Sequence, residues 1–174
     1  MVYLFDHCPL LNSFYEEVVR RTTFSIGARE VVDEVTIGGK VLHPGRKLLM
    51  PFQQMHLDTR VFGDNATEFD PRRFLNNPSL VRSTIYRPFG GGSTYCPGRF
   101  LARREIFMFV VLLLHRFDID LEPRKEIKFP EMDDSISSVG VMGPRLGDDL
   151  MISVRPACMT PIAERCSRNS FLQD

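Results

Sequence analysis

The run Phe89-Gly90-Gly91-Gly92-Ser93-Thr94-Tyr95-Cys96-Pro97-Gly98 constrains this 174-residue chain more than any other stretch. Three consecutive glycines admit positive φ and carry no Cβ, so another body can approach the backbone closely. Pro97 suits the first position of a helix, where a missing N–H costs nothing. Cys96 then stands at a helix mouth, where free amides and the positive end of the helix dipole favour an anion. Phe89 is placed to cover the sulfur and limit water. The string predicts a lone thiolate offered to a large flat partner. A structural cysteine buried behind a glycine turn is the competing reading.

Two other chemistries fail on spacing. A zinc site needs several Cys or His ligands at short intervals, and Cys96 has none nearby. Gly90 and Gly92 begin a Gly-x-Gly-x-x-Gly phosphate loop, but Tyr95 stands where its last glycine belongs. The 22 basic and 22 acidic residues balance, so no net charge points to nucleic acid. The four cysteines, Cys8, Cys96, Cys158 and Cys166, show no disulfide framework. Val2 to Phe5 is too short for the apolar core of a signal peptide. The longest apolar run, Ile106 to Leu114, falls well under the roughly 20 residues that a membrane span needs. It reads instead as a helix buried on all sides.

The periodicity predicts a helix over Leu10 to Arg21 with an apolar face of Leu11, Phe14 and Val18. Val31 to Leu49 reads as β-hairpins broken by Gly38-Gly39 and Pro44-Gly45, and Met50 to Thr59 continues as strand or turn. Val61 to Arg87 is rich in loops, with a short helix near Pro71 to Leu75. A long helix spans Gly98 to His115, and Phe117 to Leu121 alternates strictly as a strand. Short strands follow over Ile136 to Val154. Residues 158–174 lose periodicity and read as a disordered tail.

Phe89-x-x-Gly92-x-x-x-Cys96-x-Gly98 resembles the haem-ligand signature of the cytochrome P450 family. Glu17-Val18-Val19-Arg20 resembles that family's Glu-x-x-Arg helix, and Phe69-Asp70-Pro71-Arg72-Arg73-Phe74 resembles its meander; the three occur in the family's order. The resemblance implies a mainly α fold with small β-sheets (α+β): a partial cytochrome P450 fold of K helix, β1 hairpins, meander, cysteine loop, L helix and C-terminal β-hairpins. It implies one domain over residues 1–157. It also implies a haem b cofactor (iron protoporphyrin IX) with Cys96 as axial thiolate, the ligand that favours O–O cleavage. Phe89, Gly92, Thr94, Gly98 and Arg29 would line that cofactor. Thr94 stands where the family usually has Arg or His for a propionate, so a hydroxyl replaces a charge there. Arg29 would reach a propionate, against the alternative of a solvated strand charge. His56 is read as structural.

Glu17, Arg20 and Arg73 would form a buried charge cluster that locks the meander behind the cysteine loop; a surface ion pair worth a few tenths of a kcal/mol is the alternative. Threonine at 94 before Cys-Pro-Gly-Arg resembles the branch of sterol 7-hydroxylases and prostacyclin synthase, and related fungal enzymes. In that branch Thr22, Phe24, Ser25 and Ile26, with Val141 and Met142, would line the pocket of a small sterol- or lipid-like substrate; ordinary strand and turn packing is the alternative over Val139 to Met142.

The implied activity is a haem-thiolate monooxygenase that takes electrons from a reductase of the NADPH–haemoprotein type and inserts one atom of molecular oxygen into a C–H bond. The family's eukaryotic members imply the cytoplasmic face of the endoplasmic reticulum membrane. The sequence reads as the C-terminal part of such an enzyme, without the oxygen-activating helix or an N-terminal anchor. The alternative function is a truncated, catalytically inactive fragment or a haem-binding remnant.

Overall fold

The computed structural model describes residues 7–121, 129–135 and 140–157, the side chain of Thr94 excepted. The tail at 158–174 and the stretch 136–139 therefore lie outside the described residues. Two compact units are present. Among described residues, the first takes 7–97, 129–135 and 140–148, and the second takes 98–121 and 149–157.

The first unit opens with helix α1, Pro9–Thr22, started by a proline in its first turn. Its buried face is not the apolar one expected. Ser13, Tyr15, Glu17, Arg20 and Thr22 are buried, whereas Phe14 is exposed. Ser13, Glu17 and Arg20 can face inward because each finds a partner there. The Ser13 hydroxyl donates to the Pro71 carbonyl at 2.7 Å and accepts from the Leu75 amide at 2.9 Å.

Four short strands follow: β1 Ile26–Glu30, β2 Val35–Ile37, β3 Lys40–Leu42 and β4 Lys47–Pro51. β2 and β3 form the expected hairpin, turning at Gly38 and Gly39 with φ of 57° and 76°. Two successive positive φ values make a turn whose twist matches the strands, and glycine alone takes them without strain. β1 pairs antiparallel with β4, Gly27 opposite Met50. A Cβ built on Gly27 would lie 2.7 Å from Cζ of the buried Phe52 ring. Gly27→Ala is therefore expected to cost about 1–3 kcal/mol through overpacking, read as a lower denaturation midpoint with an unchanged slope.

Met50 to Thr59 is only partly strand. From Phe52 to His56 the chain forms a short helix, α2, followed by α3 at Thr59–Phe62, where the Asp58 carboxylate caps the Arg60 amide at 3.0 Å. The predicted short helix is α4, Arg73–Asn76. The core of this unit gathers Phe62, Ala66, Phe74, Leu80 and Tyr86, with Val19, Val61 and Ile85 packed against it. Met132 and Pro144 form an isolated antiparallel bridge.

The second unit holds the long helix α5, Arg99–Arg116, and the antiparallel pair β5 Phe117–Leu121 with β6 Ile152–Pro156. Burial of α5 on all sides is not what the chain shows: Phe107 alone is buried, and Phe100, Leu101, Phe109 and Leu114 are exposed. A helix apolar all round needs layers around it. One two-stranded ladder cannot provide them. No helix among the described residues is long and apolar enough to cross a membrane.

Candidate functional site

Glu17 and Arg20 lie three residues apart on α1, so they share one face and meet as a two-pronged fork. Arg20 Nε donates to Glu17 Oε2 at 2.8 Å, and Nη2 donates to Oε1 at 2.7 Å. Both side chains are wholly buried. Arg20 spends its remaining N–H groups on backbone carbonyls: His56 at 2.7 Å, Ala66 at 2.8 Å and Glu68 at 3.2 Å. Every one of its five donors is thus satisfied.

Arg73 completes the cluster from α4. Its Nε lies 3.2 Å from each oxygen of Glu17. Its Nη1 donates to the Phe62 carbonyl and to Asn65 Oδ1, and its Nη2 to the carbonyls of Asn65 and Glu68. The Asp70 amide adds a further bond to Glu17 Oε1 at 3.0 Å. One carboxylate joins helix α1 to the meander, and the two guanidiniums that it holds tie in the 62–68 turn. The three residues expected to cluster are brought together, buried rather than paired on the surface.

One carboxylate faces two buried guanidiniums, and neutral carbonyl dipoles carry the rest of the balance. A third guanidinium stands beside them. Burial, with Arg20 next to it, lowers the Arg21 pKa, and Arg21 Nε finds no hydrogen-bond acceptor among the described residues.

His56, read as structural from the sequence, is wholly buried next to this cluster. Its Nδ1 lies 3.2 Å from the Arg20 carbonyl, and the Arg87 amide donates to its Nε2 at 2.8 Å. Burial pushes its pKa down from 6.5 to about 4, with the Arg20 charge adding to that and the Arg20 carbonyl opposing it. The unfolded chain therefore binds one proton more than the folded chain between about 4 and 6.5. Stability from this source is complete above pH 6.5 and is lost as pH falls to about 4, at about 1.4 kcal/mol per pH step. The groups facing the ring are Arg20 from α1, Phe62 from α3, and Tyr86 and Arg87 from the irregular segment after Ser83. Free energies of unfolding from denaturant titrations at pH 7 and pH 5 are expected to differ by about 2 kcal/mol more in the parent than in His56→Gln. Equal slopes in the two proteins would exclude His56 as the source.

Past Arg87 the chain makes the glycine loop. Gly90 N donates to the Arg87 carbonyl at 3.1 Å, and Cys96 N donates to the Phe89 carbonyl at 3.0 Å, so the loop returns on itself. Gly90 and Gly92 hold φ of 78° and 67°, a region that costs an L residue with a Cβ about 1–2 kcal/mol. A short 3₁₀ turn runs over Gly92–Thr94. Phe89 and Cys96 are half-buried, and neither Cys8 nor Cys96 is in a disulfide. The Thr94 hydroxyl lies outside the described atoms. Gly98 belongs to the second unit as the N-cap of α5, its φ of −77° making no demand for glycine.

These residues fit a haem held by a single thiolate. The donor set at the loop is one cysteine. On the same loop a Cβ at Gly92 would meet no described atom within 4 Å, so what calls for glycine there is its positive φ.

The other expected residues divide. Arg29 is exposed on β1 with Nη1 donating to the Ala28 carbonyl at 2.7 Å. The stretches around Thr22 and Met142 are brought together: Phe24 N donates to the Gly140 carbonyl at 2.8 Å, Met142 N donates to the Thr22 carbonyl at 2.7 Å, and Thr23 bridges Val141. Thr22 and Met142 are buried, Phe24 and Ser25 half-buried, Ile26 and Val141 exposed. The sequence reading missed the links made by His56 and by Tyr86, whose hydroxyl reaches Glu16 Oε2 at 2.7 Å. No spacing rule marks a histidine that bonds a backbone amide 31 residues away.

The profile of the cytochrome P450 family matches residues 4–145. Cytochrome P450 7A1 of Sus scrofa is 30% identical over 153 residues, covering 80% of this chain and 30% of the relative. Cholesterol 7-alpha-monooxygenase of Cricetulus griseus is 28% identical over 153 residues, again 80% of this chain and 30% of the relative. A zebra fish cytochrome P450 solved with abiraterone is similar in structure, with a TM-score of 0.67 and 26% identity over 90% of this chain and 35% of that one. The chain thus spans about a third of the length of the proteins that it matches. With its buried Glu17–Arg20–Arg73 cluster and its closed loop at Cys96, the chain belongs to the cytochrome P450 family.

Proposed function

We propose that this chain is the haem-binding part of a haem-thiolate monooxygenase, with Cys96 as the axial ligand of haem b. The observation that carries the reading is the loop closed by Cys96 N and the Phe89 carbonyl, in a chain of this family. When bound, the haem would supply the activation of molecular oxygen, which protein side chains cannot perform. The chain's own residues would bind and orient it. Cys96 would give its thiolate, Gly92 the bare backbone against the ring, and Phe89 the cover over the sulfur. Arg29, Thr94 and Gly98 would serve the propionates and the loop. Glu17, Arg20 and Arg73 would hold the meander fixed behind the site. Residues 1–157 would belong to one such domain.

On the substrate side, Thr22, Phe24, Ser25, Ile26, Val141 and Met142 would face a small apolar molecule. Kinship with cholesterol 7-alpha-monooxygenase favours a sterol- or lipid-like one. Electrons would come from an NADPH–haemoprotein reductase at the cytoplasmic face of the endoplasmic reticulum membrane. A second reading, a chain that holds haem without turning over substrate by itself, is favoured by the exposed Phe100, Leu101, Phe109 and Leu114 of α5. Apolar surface of that kind asks for cover.

Reconstitution with haem tests both readings. A strongly red-shifted Soret band after reduction and addition of CO is the expected result for thiolate ligation. Oxidation of a sterol in the presence of reductase separates the monooxygenase from the haem-holding remnant, which would show the band and no product.

A further inference from the structure

We propose that His56 is a positioning residue for the Cys96 loop: its buried ring ties the Glu17–Arg20–Arg73 cluster to the backbone that carries the cysteine. The ring has a partner on each side. A backbone N–H can only donate and a carbonyl can only accept, so Arg87 N–H fixes Nε2 as the acceptor and the Arg20 carbonyl fixes Nδ1 as the protonated nitrogen. Arg20 returns the bond, donating from Nη1 to the His56 carbonyl at 2.7 Å. His56 and the centre of the ion cluster are thus bonded in both directions.

The link continues outward without a break. Arg87, held at its amide by His56 at 2.8 Å, offers its carbonyl to Gly90 N at 3.1 Å. Phe89, inside that turn, offers its carbonyl to Cys96 N at 3.0 Å. One residue earlier, the Tyr86 hydroxyl is held on α1 by Glu16 Oε2 at 2.7 Å. Tyr86 and His56 are also in ring contact, with centroids 5.4 Å apart. The entry to the loop is therefore pinned at two adjacent residues, one through its side chain and one through its backbone. If the His56 bond is lost, a half-buried amide is left without that partner where the loop begins.

The consequence for the iron ligand rests on the reading of Cys96 given above, but the test does not need haem. Asparagine at 56 reaches as far as Nδ1 and can keep the Arg20 bond; glutamine reaches as far as Nε2 and can keep the Arg87 bond. Amide hydrogen exchange in the full chain is expected to show Arg87, Gly90 and Cys96 exchanging about ten- to a hundredfold faster in His56→Asn, with the α1 amides of Tyr15 to Val19 unchanged. In His56→Gln the loop amides are expected to stay near the parent rate. The proposal is overturned if His56→Asn leaves the loop amides as slow as in the parent, or if the α1 amides accelerate equally, which a merely structural role would produce. A failure of Cys96 to bind iron would leave these rates untouched, so the two readings fail separately.

Discussion

Replacing Glu17 by alanine is expected to unfold the meander and abolish haem incorporation. The carboxylate accepts from Arg20 at 2.8 and 2.7 Å, from Arg73 at 3.2 Å and from the Asp70 amide at 3.0 Å. Without it, two guanidiniums remain buried with no counter-charge, and the partly buried Arg21 adds a third positive neighbour. Removing one partner of a buried pair costs about 3–5 kcal/mol because the other charge cannot return to water. A domain's whole stability is about 5–15 kcal/mol, so the loss takes up a large part of it. Haem retained per chain and the urea midpoint are the measurements. Glu17→Gln keeps the acceptor oxygen and the shape but not the charge, so it should fall between parent and alanine. Normal haem content and an unshifted midpoint in Glu17→Ala would rule out the cluster as the lock on the meander.

Cys96→Ala is expected to remove the red-shifted CO band completely while leaving the denaturation midpoint within about 1 kcal/mol of the parent. Alanine keeps the amide that closes the loop on Phe89 at 3.0 Å, and it removes only a half-buried thiol. Its folding cost is therefore small on the scale of single substitutions. The spectral effect is all or nothing, because the described loop offers no second sulfur. The two variants thus separate in opposite directions: Glu17→Ala loses haem by losing structure, and Cys96→Ala loses the thiolate signature with structure kept. A band that persists in Cys96→Ala would assign the iron to another ligand.

Much was legible in the sequence because it is local. The Gly38-Gly39 turn, the strand at Phe117 to Leu121 and the helix that starts after Pro97 and Gly98 depend on backbone angles and on periods of a few residues. The spacing of Glu17 and Arg20 placed both on one helical face, and the order of three motifs gave the family. Where local reading failed, the cause was a contact with a distant residue. Leu11, Phe14 and Val18 marked an apolar face of α1, yet the buried face is the one that carries Ser13, Glu17 and Arg20, since Pro71, Leu75 and Arg73 supply their partners.

The residues of the site, its thiol, its glycines and its three charges, were determined by the sequence alone, because their types and spacing carry the chemistry. What those residues bind was decided only by the tertiary structure. Arg20 reaches carbonyls 36, 46 and 48 residues away, Glu17 takes an amide 53 residues on, and His56 bridges Arg20 to Arg87. A buried polar group must be paired or its desolvation is unrecovered, and which partner meets that demand is set by how helix, turn and loop pack in space, a distance that no spacing along the chain records.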